Sequence, residues 1–248
     1  MTSGSRPYAA FDIDGTIIRW QIYHALFDEL ATTGKIPNEL YESVKAHRRN
    51  WKNRAPDSSF KNYEQHLVRV YRSAIQNITL AEFNLATKTV FEEYKDQTYT
   101  YTRNLIKDLK ARGYLLFALS GSQVEIVKML AEYWGFDDYA GTQQEHKKGF
   151  FTDKAIIMRD AQKTVELTKM VSKHNAISEN SIAIGDSESD IPFLQMVDKP
   201  IAFNPSAELL SVASMNGWDV VLERKNVVYT LEYNIKQYYL KHQGKGVL

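Results

Sequence analysis

The chain has 248 residues and a formal net charge of +1, from 31 Lys+Arg against 30 Asp+Glu, and 44 % of it is hydrophobic, which excludes wholesale disorder. So balanced a charge lacks the electrostatic footprint of a general nucleic-acid binder, and the absence of cysteine excludes disulfides, thiolate zinc sites and cysteine nucleophiles. Only 12 Gly and 6 Pro leave little material for long linkers, so the length fits one large domain or a main domain carrying a smaller one.

In chain order, residues 1–7 lack the apolar stretch of a signal peptide, and the longest apolar run, residues 114–119, is far below the ~20 residues of a membrane span. The expected location is cytoplasmic, with neither membrane nor nucleic acid as partner. Residues 8–11, all apolar, predict a buried parallel strand. Residues 20–97 then hold no convincing strand, while 24–30, 63–75 and 80–94 read as amphipathic helices. That block is too long for an ordinary connection and is expected to form a separate, all-helical, lid-like cap. Beyond it, a helix over 103–112 stops at Gly113, a second buried strand covers 114–119, and a helix over 123–134 stops at Gly135. A helix over 163–174 leads into a third strand, 181–184; 200–203 and 218–221 are further candidate strands, and 242–248 is expected to fray. Strand alternating with helix predicts an α/β fold, a doubly wound (Rossmann-like) parallel sheet covered on both faces. The catalytic core is expected to comprise residues 1–19 and 98–248, with 20–97 as the inserted cap.

Three strand ends carry candidate chemistry. The first strand runs into Asp12-Ile13-Asp14-Gly15-Thr16, and in doubly wound sheets ligands bind at the carboxyl ends of strands. Two carboxylates at i and i+2 point to the same side and repel unless a cation or a shared proton intervenes; Gly15 lets the backbone turn close to a ligand. An ordinary Asp/Gly turn explains these five residues equally well, whereas a calcium loop is excluded because its twelfth position is Tyr23. The third strand ends in Gly185-Asp186-Ser187-Glu188-Ser189-Asp190, and two acidic strand ends in one sheet make a hard-cation site suited to Mg2+. The second strand ends in Ser120-Gly121-Ser122 and opens a helix, a phosphate seat or a plain N-cap. Lys163 begins the next helix, with Lys169 and Lys173 as competitors.

Together and in this order, these pieces resemble the haloacid dehalogenase superfamily of phosphohydrolases. Asp12 to Thr16 match its DxDGT first motif, Ser120 its second, Lys163 its third, and the GDSxxD of Gly185 to Asp190 its fourth. The spacing from Lys163 to Asp186, Asn204-Pro205, Gly141-Thr142 and the helical insert are similar to the phosphoserine phosphatase-like branch. The resemblance implies Mg2+-dependent hydrolysis of a small phosphorylated metabolite through an aspartyl-phosphate. Asp12 is then the nucleophile and Asp14 the general acid and base. Mg2+ sits on Asp12, the Asp14 carbonyl and Asp186, while Ser120, the Gly121 amide and Lys163 grip the phosphoryl oxygens, and Asp190 supports from behind. Dehalogenating members lack an acid two residues after the nucleophile, so Asp14 favours phosphatase chemistry. A phosphomutase of the same fold and a receiver-like phospho-binding domain are the alternatives; a receiver has neither this DxD nor a helical insert.

The sequence departs from phosphoserine phosphatases at two substrate positions. Where they carry a Glu for the substrate ammonium stands Gln21, and where they carry a carboxylate-gripping Arg stands Val70, with Arg69 one residue away. A substrate other than phosphoserine is therefore expected, with phosphoserine itself the alternative; the oligomeric state is left open. The basic cluster Arg48, Arg49, Lys52 and Arg54 reads as a solvated cap face. The six histidines show no metal-ligand spacing.

Overall fold

The structure, a computed structural model, describes residues 5–234 and 237–245. The chain opens with β1 (Pro7–Phe11) and runs through α1 (Ile22–Thr32), α2 (Asn38–Lys52), α3 (Phe60–Ala74) and α4 (Leu80–Tyr94). Next come α5 (Thr100–Ala111), β2 (Leu115–Gln123), α6 (Val124–Trp134), β3 (Asp138–Lys147) and β4 (Phe150–Ile156). They are followed by α7 (Ala161–Lys173), β5 (Ile177–Gly185), α8 (Ile191–Leu194), β6 (Lys199–Phe203) and α9 (Ala207–Asn216). The last elements are β7 (Asp219–Arg224), β8 (Val227–Asn234) and β9 (Gln237–Lys245). Two compact units result: Met1–Gln21, Tyr94–Thr142 and Ile157–Leu248 form the first, Ile22–Glu93 and Gln143–Ile156 the second. Among the described residues no helix is long and apolar enough to cross a membrane.

The first unit is built on a sheet of order β3-β2-β1-β5-β6-β7-β8-β9. Its neighbours from β3 to β7 are parallel. In β1, Tyr8 and Ala10 on one face and Ala9 and Phe11 on the other are all at most 1 % exposed, so helices cover both faces, which is why this strand is apolar without alternation. Tyr8, Leu115 and Phe117 pack with Leu167 and Met170 of α7, Phe193 of α8 and Leu209 of α9. α5 and α6 pack against β2 with Ile106, Leu109, Ile126 and Leu130 buried. Gly135 ends α6 in the left-handed conformation (φ 70°), the stop read from the sequence.

The sheet is mixed, not wholly parallel as the sequence suggested. β8 and β9 add an antiparallel hairpin to β7, so residues 242–245 of the expected frayed tail are strand; 246–248 lie outside the described residues. Their apolar residues come in runs of no more than three, 227–229 and 238–240, set between polar ones.

The second unit contains α1 to α4. Buried Tyr63, Leu67, Tyr71 and Ala74 make the apolar stripe of α3 at helical spacing, and Ser59 caps it by accepting from the Asn62 amide at 3.0 Å. The unit differs from the expected all-helical insert in two ways. It begins at Ile22 and takes in residues 143–156, where the end of β3 pairs antiparallel with β4. This ribbon is polar and without helical period; buried Phe151, edge-on to Phe83 with centroids 4.8 Å apart, anchors it. Arg48 also departs from the expected solvated face: its guanidinium grips Asp28 at 2.7 and 2.9 Å and donates to the Tyr63 hydroxyl at 2.8 Å. Arg49, Lys52 and Arg54 are exposed.

Candidate active site

The parallel strands β1, β2 and β5 deliver their ends to one place in the first unit. Asp12 follows β1 and is held to β5 by its amide, which donates to the Ile184 carbonyl at 3.0 Å. The residue is 4 % exposed. Oδ1 accepts from Lys163 Nζ at 2.7 Å, whereas Oδ2 is buried with no hydrogen-bond partner among the described residues. Lys163, at the start of α7, is itself 2 % exposed, and its Nζ also donates to Asp190 Oδ1 at 2.6 Å. Asp190 Oδ2 accepts from the amides of Asp186 and Ser187 and from the Ser187 hydroxyl at 3.0–3.1 Å. Both oxygens of Asp190 are thus committed to holding the β5 turn and the lysine. The competitors are excluded: Lys169 pairs with Glu166 and Lys173 with Asp138, both on the exposed surface.

Asp14 is placed by the end of β2. Its Oδ2 accepts from Ser120 Oγ at 2.6 Å and from Ser122 Oγ at 2.9 Å. The sequence expectation ended this strand at residue 119 and put the serines at a helix terminus. In the structure β2 continues to Gln123, with an irregular register between Leu119 and Gln123, and α6 starts only at Val124. An extended chain turns residues i and i+2 to one side, so both hydroxyls reach one carboxylate. Ser122 is the site residue missed in the sequence, and this i, i+2 spacing on a strand was the signal. Thr142 fixes the same stretch by donating to the Gly121 carbonyl at 2.7 Å. A Cβ on Gly141 meets the Val124 Cα at 2.8 Å, so glycine is required there.

Asp186 lies against the first turn. Thr16, fully buried, donates to Asp186 Oδ1 at 3.3 Å, and the Ser206 amide donates to the Asp186 carbonyl at 2.8 Å. Gly15 has φ +81°, and a Cβ there collides with the Asp186 carboxylate; close approach and backbone conformation both demand glycine. Of the residues expected from the resemblance to bear on substrate, Gln21 and Val70 are partly buried. Arg69 is exposed and lines, with His47 and His66, a cavity of about 440 Å³ within the second unit.

Electrostatically the cluster is under tension. Burial, then Asp190 and Asp14, push the Asp12 carboxyl up to about 8 although Lys163 opposes them. Burial, Asp12 and Asp190 raise Asp186 well above the usual carboxylate range. Burial disfavours charge on Lys163, but Asp12 and Asp190 outweigh it and hold the ammonium protonated. One carboxylate oxygen from each of Asp12, Asp186 and Asp190 lies within 4.8 Å of the others. Carboxylate oxygens from three acids crowded this closely, each acid raised or held by its neighbours, are the hard donor set that a divalent cation such as Mg2+ fits.

The family model described as haloacid dehalogenase-like hydrolase matches residues 9–195. Phosphoserine phosphatase SerB1 of Mycobacterium tuberculosis is 24 % identical over 149 residues, 59 % of this chain and 48 % of that protein; the chain spans about half the length of the mycobacterial relatives it matches. Histidinol-phosphatase of Neisseria meningitidis is 25 % identical over 221 residues, covering 86 % of this chain and 97 % of that protein. Among solved structures, a phospho-aspartyl intermediate analogue of phosphoserine phosphatase superposes with a TM-score of 0.62 at 20 % identity, over 90 % of this chain and 95 % of that one.

Proposed function

Because this chain belongs to the haloacid dehalogenase-like hydrolases, we propose that it is a phosphomonoesterase that works through an aspartyl-phosphate on Asp12. The observation that carries this reading is the Asp12 carboxylate, gripped by Lys163 through Oδ1 and unengaged at Oδ2. An oxygen buried without a partner is costly unless something comes to it.

Oδ2 attacks phosphorus; the bond from phosphorus to the leaving oxygen breaks, and the proton of Asp14 passes to that oxygen. Water then attacks the phosphorus of the aspartyl-phosphate and gives a proton to Asp14, releasing phosphate and restoring Asp12. Lys163, the Ser120 hydroxyl and the Gly121 amide hold the phosphoryl oxygens in line. Asp12, the Asp14 carbonyl and Asp186 are the residues that hold Mg2+, which supplies neutralisation of the phosphoryl charge. Asp190, with both oxygens engaged, keeps Lys163 and Asp186 in position.

The substrate is a small phosphorylated metabolite of the cytoplasm other than phosphoserine. Supporting this are neutral Gln21 and apolar Val70, which cannot make charge-assisted bonds to an amino-acid zwitterion. The names of several relatives favour phosphoserine itself as the second reading. A panel of phosphorylated metabolites, assayed with Mg2+ and with Asp12→Asn as blank, decides between them. Turnover by the wild type and no more than a few per cent by Asp12→Asn is expected. Undiminished activity in Asp12→Asn overturns the mechanism, and phosphoserine leading by tenfold or more in kcat/KM overturns the substrate assignment.

A further inference from the structure

Ser122 belongs to none of the roles just described, yet its hydroxyl is aimed at Asp14. It is 2 % exposed, its Oγ donates to Asp14 Oδ2 at 2.9 Å, and its amide donates to Ser120 Oγ at 2.9 Å. Ser120 donates to the same Asp14 oxygen at 2.6 Å. A serine hydroxyl has one proton. Ser120 therefore cannot donate to Asp14 and to a phosphoryl oxygen at once, and a phosphoryl dianion brings no proton of its own. Occupation of the site forces Ser120 to turn, leaving Ser122 on Asp14 Oδ2.

We infer that Ser122 is the positioning residue of the acid–base group. It keeps the Asp14 carboxyl aimed at the leaving oxygen while Ser120 is drawn away to the phosphoryl group. This rests on the phosphomonoesterase reading above. The Ser122 amide, by donating to Ser120 Oγ, leaves that oxygen's proton free to rotate between Asp14 and the phosphoryl oxygen. One residue thus serves both partners: its backbone orients Ser120, and its side chain replaces Ser120 on Asp14. A buried hydroxyl that merely needs an acceptor would be structural only, and the two roles differ in what they do to leaving groups. Proton donation matters for an alkoxide and little for a nitrophenolate, which departs as a stable anion.

The test uses the full chain with Mg2+ and compares Ser122→Ala with wild type on p-nitrophenyl phosphate and on glycerol 2-phosphate. Loss of one hydrogen bond to a carboxylate predicts about a tenfold fall in kcat/KM for glycerol 2-phosphate. The fall for p-nitrophenyl phosphate should stay under about threefold, with inhibition by inorganic phosphate within about twofold of wild type. On an Asp14→Asn background, Ser122→Ala should add nothing. Equal losses on both substrates, a change confined to phosphate affinity, or an additive double variant overturns the role of Ser122 while leaving the enzyme a phosphatase. Wild-type turnover no greater than that of Asp12→Asn overturns both.

Discussion

Two buried titratable side chains show how differently this chain treats charge. Asp12 is surrounded by charges of both signs, whereas His24 is kept neutral. In the second unit His24 is 1 % exposed, with Nδ1 at 3.1 Å from the Tyr63 hydroxyl. Burial, then the positive charge of Arg48, lowers its pKa to about 3. The unfolded chain takes up that proton near pH 6.5, so below that value it binds more protons than the folded chain. Stability from this group is complete above pH 6.5 and is lost as pH falls toward 3. Urea unfolding at pH 7.5 and pH 5 should differ by on the order of 2 kcal/mol more in wild type than in His24→Gln. At this scale Asp12, Asp14, Ser120 and Asp186 drew notice because they stand at or just beyond the ends of apolar runs, whereas Lys163 follows polar residues and only the family resemblance singled it out from Lys169 and Lys173. Ser122 was not, since a serine beside a glycine reads as a cap. Arg48 was hidden in a run of basic residues, its partner Asp28 lying 20 residues away.

Strands buried on both faces announce themselves; strands with one wet face do not. β1 and the apolar stretches 115–119 of β2 and 182–184 of β5 read as strands because no polar residue interrupts them, while the polar ends of β2 and β5 did not; β3, β4, β8 and β9 have mixed faces whose pattern resembles that of loops. The energetic weight lies with the first group. Phe117, fully buried in β2, stacks on Tyr8 at 5.7 Å and joins the cluster under α7 and α9. Phe117→Ala should cost about 3–5 kcal/mol in chemical denaturation. A loss under about 1 kcal/mol would mean that the sheet face repacks around the gap. The extension of β2 to Gln123 has a separate effect: it puts two hydroxyls, rather than a helix terminus, against Asp14.

In the whole molecule, the crowded carboxylates tie stability to the proposed cation. Chelation should silence turnover and lower Tm, and added Mg2+ should restore both; binding at a hundredfold excess over Kd raises stability by about 2.7 kcal/mol. Asp186→Ala should raise the Mg2+ concentration needed for half-maximal activity by tenfold or more, while its Tm without metal rises, because one buried like charge is gone. Full activity in chelator would refute the cation's role. The bonds that assemble this cluster join residues 106, 151 and 170 positions apart in sequence. A ribosome adds roughly 5–20 residues per second, so β1 waits several seconds for β2 and longer for β5. During synthesis an apolar strand with two unpaired edges has no partner, the condition in which nascent chains rely on chaperones. The proposed catalytic cluster is incomplete until Asp190 has left the exit tunnel, so shorter nascent chains should carry no phosphatase activity.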